Sequence, residues 1–378
     1  MMRRVFCGLL GAVLAAGVAH ARDIGGQTAD AVAYSFVFLG CNRLDASATR
    51  AIRSKSSANV IQLQQDFAEI AALKPAPRIV FFAGDIVKGL TAGTQDLQKQ
   101  LPRWVDLVTT NNPLDLKVTR MVAFTGNHEL LKKAARKTEV PNPPAWAYWL
   151  SVMSPPGSKA GGYDFIAGSN GPTTAAPNPD RLLTDESRFS YTFRSGAILF
   201  VILNTDPQVD ATSAGTVPLH WLAAQLRGAQ ADPAVQHVFV MGHKPIVSPA
   251  PGDGGIRADQ AADLYALLNN PGGDGSTGKV RAYLSAHAHE WKYSASLALK
   301  DGSAGKIPQI VAGNGGSPPA KNWRGDAAYF GYTLVAVMQS GAITAQSLGR
   351  KIPAPYYAQA ATPTTVRATH DIVPAPAR

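Results

Sequence analysis

Asp85, Asn127, His128, His243, His287 and His289 all stand where an apolar, β-like run gives way to a polar turn. Gly84-Asp85 follows Ile79 to Phe82, and Gly126-Asn127-His128-Glu129 follows a run from Arg120 to Thr125. Gly242-His243 follows Val238 to Met241, and His287-Ala288-His289 follows Val280 to Leu284. Carboxylate, amide oxygen and imidazole are the donors that divalent metals take, and a metal held by them suits hydrolysis. Open α/β sheets gather their ligands outside the carboxyl ends of strands, so residues about 200 positions apart are expected to converge. Singly, each has an ordinary explanation: Asp85 can cap a turn, Asn127 can close an Asx turn, and His243 can be a hydrogen-bonded loop residue. Jointly, the four strand ends point to a metal-dependent hydrolase.

In this order, Gly-Asp, Gly-Asn-His-Glu, Gly-His and His-x-His, the chain resembles the calcineurin-like metallophosphoesterase family from about Tyr34 to Leu348. The resemblance implies an α/β four-layer sandwich, two mixed β-sheets flanked by helices, with a two-metal site. Two ions roughly 3.5–4 Å apart activate water at neutral pH and clamp the oxygens of an in-line displacement at phosphorus. It further implies Asp85 as the bridging carboxylate, with Asn127, His243 and His287 completing the second metal's shell. This donor set suits Mn, Fe, Co or Zn better than Ca. His128, beside the Asn ligand, is implied to protonate the leaving oxygen as a general acid. Glu129 would orient that ring or tune it, or simply open the next helix.

The first motif departs from the family. Where its members carry Gly-Asp-x-His, this chain reads Gly40-Cys41-Asn42-Arg43-Leu44-Asp45. A guanidinium stays protonated and has no acceptor, so Arg43 cannot ligate a metal. Three readings stand. Cys41, Asp85 and His289 hold a first zinc or iron with one open position. Or that site is empty and Arg43 replaces its charge, gripping the phosphate with its planar fork. Or Cys41 is a small buried hydrophobe in a non-catalytic, degenerate relative that binds an anionic ligand. The reading favoured here is one firmly held ion with Arg43 on the phosphate, so one or two ions are expected in all. Asp45 is expected to add carboxylate character or to pair with Arg43.

The elements that must position these residues follow from periodicity. Strands are predicted at Tyr34–Leu39, Ile79–Ala83 and Arg120–Phe124, alternating with helices at Val60–Leu73 and Asp96–Val108. That order is the signature of crossovers covering a sheet. A hairpin is predicted from Phe189–Phe193 to Ala197–Leu203, helices at Leu219–Leu226 and Asp259–Leu268, and closing strands at Gln309–Ala312, Tyr332–Val337 and Ile343–Gln346. Residues 130–187 break the rhythm. Rich in Pro, Gly and Asn, with Lys132, Lys133, Arg136, Lys137, Trp146, Tyr148 and Trp149, they read either as a cap offering cations to an anionic substrate or as a small packed helix with a solvated basic face. His220, His237 and His370 are read as ordinary helix, strand and tail residues.

The remaining composition bounds compartment and partners. Arg3 and Arg4, the apolar stretch Val5 to Val18 and Ala19-His20-Ala21 read as a cleavable signal over residues 1–21, giving a secreted or periplasmic protein. The stretch is short for a membrane span, and no later segment supplies one. Cys7 would leave with the signal, making Cys41 the sole remaining thiol and excluding an internal disulfide. The formal charge of +10 falls by two with Arg3 and Arg4, and the basic balance that remains favours anionic partners. Those partners are a phosphorylated small molecule or a lipid headgroup. No basic stripe with regular aromatics marks a specific nucleic-acid surface. One catalytic domain is expected over residues 22–352, with 353–378 a partly ordered tail rich in Ala, Pro and Thr.

Overall fold

The computed structural model describes residues 31–45, 60–110, 112–134, 138–155, 162–210, 214–250, 254–354 and 362–376. The expected signal over residues 1–21, and Arg136 and Lys137 of the interrupting segment, lie outside the described residues.

Two six-stranded sheets carry the chain. In the first, β1 (Val32–Leu39), β2 (Ile79–Ala83) and β3 (Arg120–Phe124) run parallel. Beyond β1, three antiparallel strands follow: β12 (Tyr329–Met338), β13 (Ile343–Lys351) and β14 (Thr365–Val373). In the second, β7 (Ile198–Leu203), β8 (His237–Gly242), β9 (Val280–Ser285) and β11 (Gln309–Ala312) are parallel. Antiparallel β6 (Tyr191–Ser195) and β10 (Trp291–Ser294) flank them.

Strand alternation sorts the core into layers. Phe36 and Phe81 point toward the opposite sheet, where they meet Phe200 at 5.2 and 5.0 Å between ring centroids, and Phe36 meets Phe239 at 5.0 Å. Phe82, one residue on, faces outward and packs edge-on against Trp104 of α2 (Gln95–Thr110) and Phe67 of α1 (Val60–Ala71). On the second sheet Val201, Leu203, Val238 and Val240 likewise turn outward, against Leu222 and Leu226 of α5 (Leu219–Ala231) and Leu264 and Leu268 of α6 (Ala258–Asn269). Helix, sheet, sheet, helix is the four-layer sandwich.

Among the described residues of the segment 131–187, the elements are β4 (Leu131–Lys133), β5 (Glu139–Pro141) and α4 (Pro143–Met153). They follow α3 (Asn127–Leu130), a single turn after β3. Trp146 and Trp149 are buried, with the Trp146 indole donating to Leu130 O at 2.8 Å. These aromatics therefore serve packing. The Ala- and Pro-rich end contributes β14, and its His370 stacks on Tyr293 of β10 with centroids 3.9 Å apart, joining the two sheets at their edges. Arg350 of β13 is buried against α1, donating to Asp66 at 2.7 Å.

The parallel strands set the place where chemistry gathers. The carboxyl ends of β1 and β11 are tied by Gly40 N–H to Ala312 O and Gly315 N–H to Gly40 O, both 3.1 Å. A Cβ on Gly40 would lie 2.5 Å from that of Ala286, so this close approach of the two sheets requires glycine.

Candidate metal centre

Asp85 follows β2, Asn127 and His128 follow β3, His243 follows β8, and His287 and His289 follow β9. All are buried or nearly so except part of His287 and His289. Cys41, Arg43, Asp85 and His287 share a further property: each holds a positive φ of 50–61°, in the left-handed region that residues with a Cβ avoid. Such strain gathers where surrounding structure over-determines it, characteristically at functional sites.

The centre of the cluster is the Nε2 atom of His243. It lies 3.1 Å from Asp85 Oδ1, 3.2 Å from Asn127 Oδ1 and 3.1 Å from His287 Nδ1. His243 Nδ1 donates to Ala83 O at 2.7 Å, which directs the Nε2 lone pair into the cluster. Asn127 is fixed the same way: its amide donates to Glu139 Oε2 at 2.9 Å, so its oxygen turns inward. Four lone-pair donors thus converge, and a single proton on His243 serves only one of its three neighbours. The donor set, one carboxylate, one amide oxygen and two imidazoles, is of a kind that takes a metal ion.

The protonation states agree. Burial together with His243 and Lys244 pushes His287 well below the usual imidazole range, leaving it neutral as a ligand must be. Burial opposes the charge of Asp85, but His128, His243 and Arg43 outweigh it and hold the carboxyl well below its ordinary value. For His243 burial works against protonation, yet Asp85 prevails and raises it.

Around the first motif the picture differs. Arg43 donates to Asp85 Oδ2, at 3.3 Å from Nη2 and 3.4 Å from Nε, with its side chain 23% exposed. The oxygen that does not face His243 is therefore taken by a guanidinium. Asp45 meets Lys88 at 3.3 Å. Cys41 is fully buried, and its Sγ lies with Asp85 and His243 in a group whose ligand atoms are within 4.8 Å of one another. Burial first, and Asp85 second, push its thiol well above the ordinary range. His289 donates from Nδ1 to Pro318 O at 2.7 Å while its Nε2 is buried without a hydrogen-bond partner. The chain from Gly313 to Pro318 braces this wall: Ser317 holds Cys41 O at 2.5 Å and Gly315 O accepts from Asn42 at 2.6 Å.

His128 donates from Nδ1 to Lys88 O, and its Nε2 stands 3.6 Å from Asp85 Oδ2. Burial depresses it to about 3, with Arg43 adding to the effect against the pull of Asp85. Glu129 does not hold this ring; it accepts from the backbone of Asp85, Val87 and Gly126.

Three contributors were not identified from the sequence. Glu139, on β5, orients Asn127. Asp206 and Lys244 form a buried ion pair at 2.5 Å directly after His243. Leu203-Asn204-Thr205-Asp206 ends β7 in the same manner as the recognised strand ends, so that signal was legible. Glu139 has no such signal, because a two-stranded ribbon brings it to Asn127 from outside the sheets.

No protein-family model and no curated protein sequence matches the chain. In three dimensions it is similar to PhoD, with a TM-score of 0.54 and 13% identity over 90% of this chain and 70% of that one. It is also similar to GAP50, the anchor in the inner membrane complex of Plasmodium, at a TM-score of 0.49 and 15% identity over 90% and 88% of the two chains. The likeness to PhoD concerns the fold alone. With the sheet order described above, the fold is the calcineurin-like four-layer sandwich.

Proposed function

We propose that this protein is a metal-dependent phosphoesterase with one principal ion, held by Asp85, Asn127, His243 and His287. The convergence of Asp85 Oδ1, Asn127 Oδ1 and His287 Nδ1 on His243 Nε2 carries the reading. When bound, the ion supplies Lewis-acid activation of water and neutralises charge at phosphorus. The chain's own residues do the rest. Arg43, partly exposed beside Asp85, offers a planar fork to two phosphate oxygens. His128 keeps its Nδ1 proton on Lys88 O, leaving Nε2 to take up a proton and give it to the leaving oxygen. A phosphate arriving beside that ring opposes the depression of its pKa, because a nearby anion favours the imidazolium. Cys41 and His289 are the residues available for a second ion, and a phosphorylated small molecule or lipid headgroup is the substrate class.

Metal content measured together with turnover of p-nitrophenyl phosphate and bis(p-nitrophenyl) phosphate tests this. Bound transition metal with turnover of either ester is the expected result. The second reading, a non-catalytic binder of an anionic ligand, draws on the ion pair that fills the Asp85 Oδ2 side. Phosphate binding without turnover in the presence of Mn, Fe, Co or Zn would establish it instead.

A further inference from the structure

Glu129 is fully buried, and its carboxylate links two turns that the sequence keeps apart. Oε2 accepts from Asp85 N–H at 2.9 Å and from Gly126 N–H at 2.8 Å, and Oε1 accepts from Val87 N–H at 3.1 Å. Asp85 and Val87 lie after β2; Gly126 lies after β3, immediately before Asn127 and His128. The turns are close enough to share one carboxylate because glycine stands in each. A Cβ on Gly84 would lie 2.5 Å from Gly126 N, and one on Gly126 would lie 2.5 Å from Asp85 Oδ1. Asp85 sits at a φ of 51°, a conformation that needs holding. It is held on both sides, by Glu129 at its N–H and by Arg43 N–H at its carbonyl, 2.7 Å away.

We propose that Glu129 is a positioning residue that fixes Asp85 against Asn127 and so sets the affinity of the metal centre without touching ion or substrate. The inference rests on the metal site proposed above. Three backbone N–H groups donate to this one side chain, so both of its oxygens are committed to holding the two turns together. Gln at this position keeps the size but turns an N–H toward a backbone N–H, leaving a buried donor unsatisfied. Asp is one methylene shorter and cannot reach both turns. Partners outside the first coordination shell typically change metal affinity by about 10- to 100-fold when removed.

Titration with Co²⁺, read by visible absorption, tests the proposal on the wild type, Glu129→Gln, Glu129→Asp and His243→Ala. Wild type is expected to give a saturable ligand-field spectrum, and His243→Ala to lose it. Glu129→Gln and Glu129→Asp should bind with roughly 10- to 100-fold weaker affinity and a shifted band, because geometry changes although every ligand remains. Wild-type affinity and an unshifted band in both variants overturn the positioning role and leave the metal site standing. A wild type that takes up no Co²⁺ overturns both. Should the variants fail to fold, hydrogen exchange of the wild-type protein decides. Linkage is reciprocal, so an ion whose affinity depends on this clasp must slow exchange of the Asp85, Val87 and Gly126 amides more than that of the α5 amides. Equal slowing overturns the proposal.

Discussion

Arg43 Nη2 lies 3.3 Å from Asp85 Oδ2, while the other oxygen of the same carboxylate faces His243 Nε2 at 3.1 Å. One carboxylate thus bridges a ligand cluster and a guanidinium, with a fixed organic cation on the side where the family resemblance implied a first metal. If Arg43 contacts phosphate, Arg43→Ala leaves the content of the principal ion unchanged and weakens inhibition by inorganic phosphate. A hydrogen bond to a charged group contributes about 1.5–3 kcal/mol, so a loss of about 10- to 100-fold in kcat/KM is expected. Arg43→Lys should recover only part, since it keeps charge without the fork. Full activity and unchanged phosphate inhibition in Arg43→Ala would make this a structural ion pair.

Stoichiometry follows from the same geometry. Asp85, Asn127 and His287 each place a donor atom within 3.2 Å of His243 Nε2, whereas Arg43 occupies the other oxygen of Asp85. Dialysed protein is therefore expected to hold closer to one than two equivalents of transition metal by elemental analysis. Replacing Cys41→Asp and Arg43→His together restores two oxygen and nitrogen donors beside His289, whose buried Nε2 has no hydrogen-bond partner. That double variant should move toward two equivalents. A clean two equivalents in the wild type would refute the single-ion reading and make Cys41, already grouped with Asp85 and His243, a ligand.

The strand ends were legible because a buried parallel strand is a short apolar run and the turn that ends it is marked by glycine or a polar residue. Val80, Val122, Val240 and Leu284 are all buried in such runs. The layers were legible only in outline: Phe81 and Phe82 face opposite sides, but sequence alone does not say which side is the other sheet. Contacts between elements were not legible. Nothing local joins Glu139 to Asn127 or Ser317 to Cys41, because each pair meets only after the crossovers are in place. β14 escaped notice for a different reason. An edge strand with much of its length exposed lacks apolar alternation, and Val366 is 49% exposed there.

His128 should separate proton transfer from metal binding. Its ring is anchored on Lys88 O, and its Nε2 faces Asp85 Oδ2, the oxygen turned away from His243, at 3.6 Å. His128→Ala is expected to keep its metal and lose about 10²- to 10⁴-fold in turnover, the usual contribution of a general acid. His243→Ala should lose both. The penalty at His128 should shrink for p-nitrophenyl esters, whose leaving group needs little protonation, and grow for an alkyl phosphate. Equal penalties for the two leaving groups would remove His128 from the acid role.

Glu186 offers a test of stability against pH. It is fully buried, with Asn204 donating to Oε2 at 2.9 Å and Thr184 to Oε1 at 3.3 Å. Burial raises its carboxyl to about 8, against the lowering effect of those two hydrogen bonds. The folded protein therefore holds a proton that the unfolded chain releases near its ordinary value of about 4.3. The stability contributed by the neutral acid is fully present below that pH and is lost as pH rises toward the folded value. Glu186→Gln keeps an acceptor for Asn204 and removes the ionisation. It should melt at nearly the wild-type temperature at pH 4.5 and above it at pH 8.5, where each kcal/mol gained corresponds to about 1–1.5 °C for a chain of this length. Melting curves of both proteins across this range decide it: a difference that stays constant with pH would show that Glu186 is charged in the folded state.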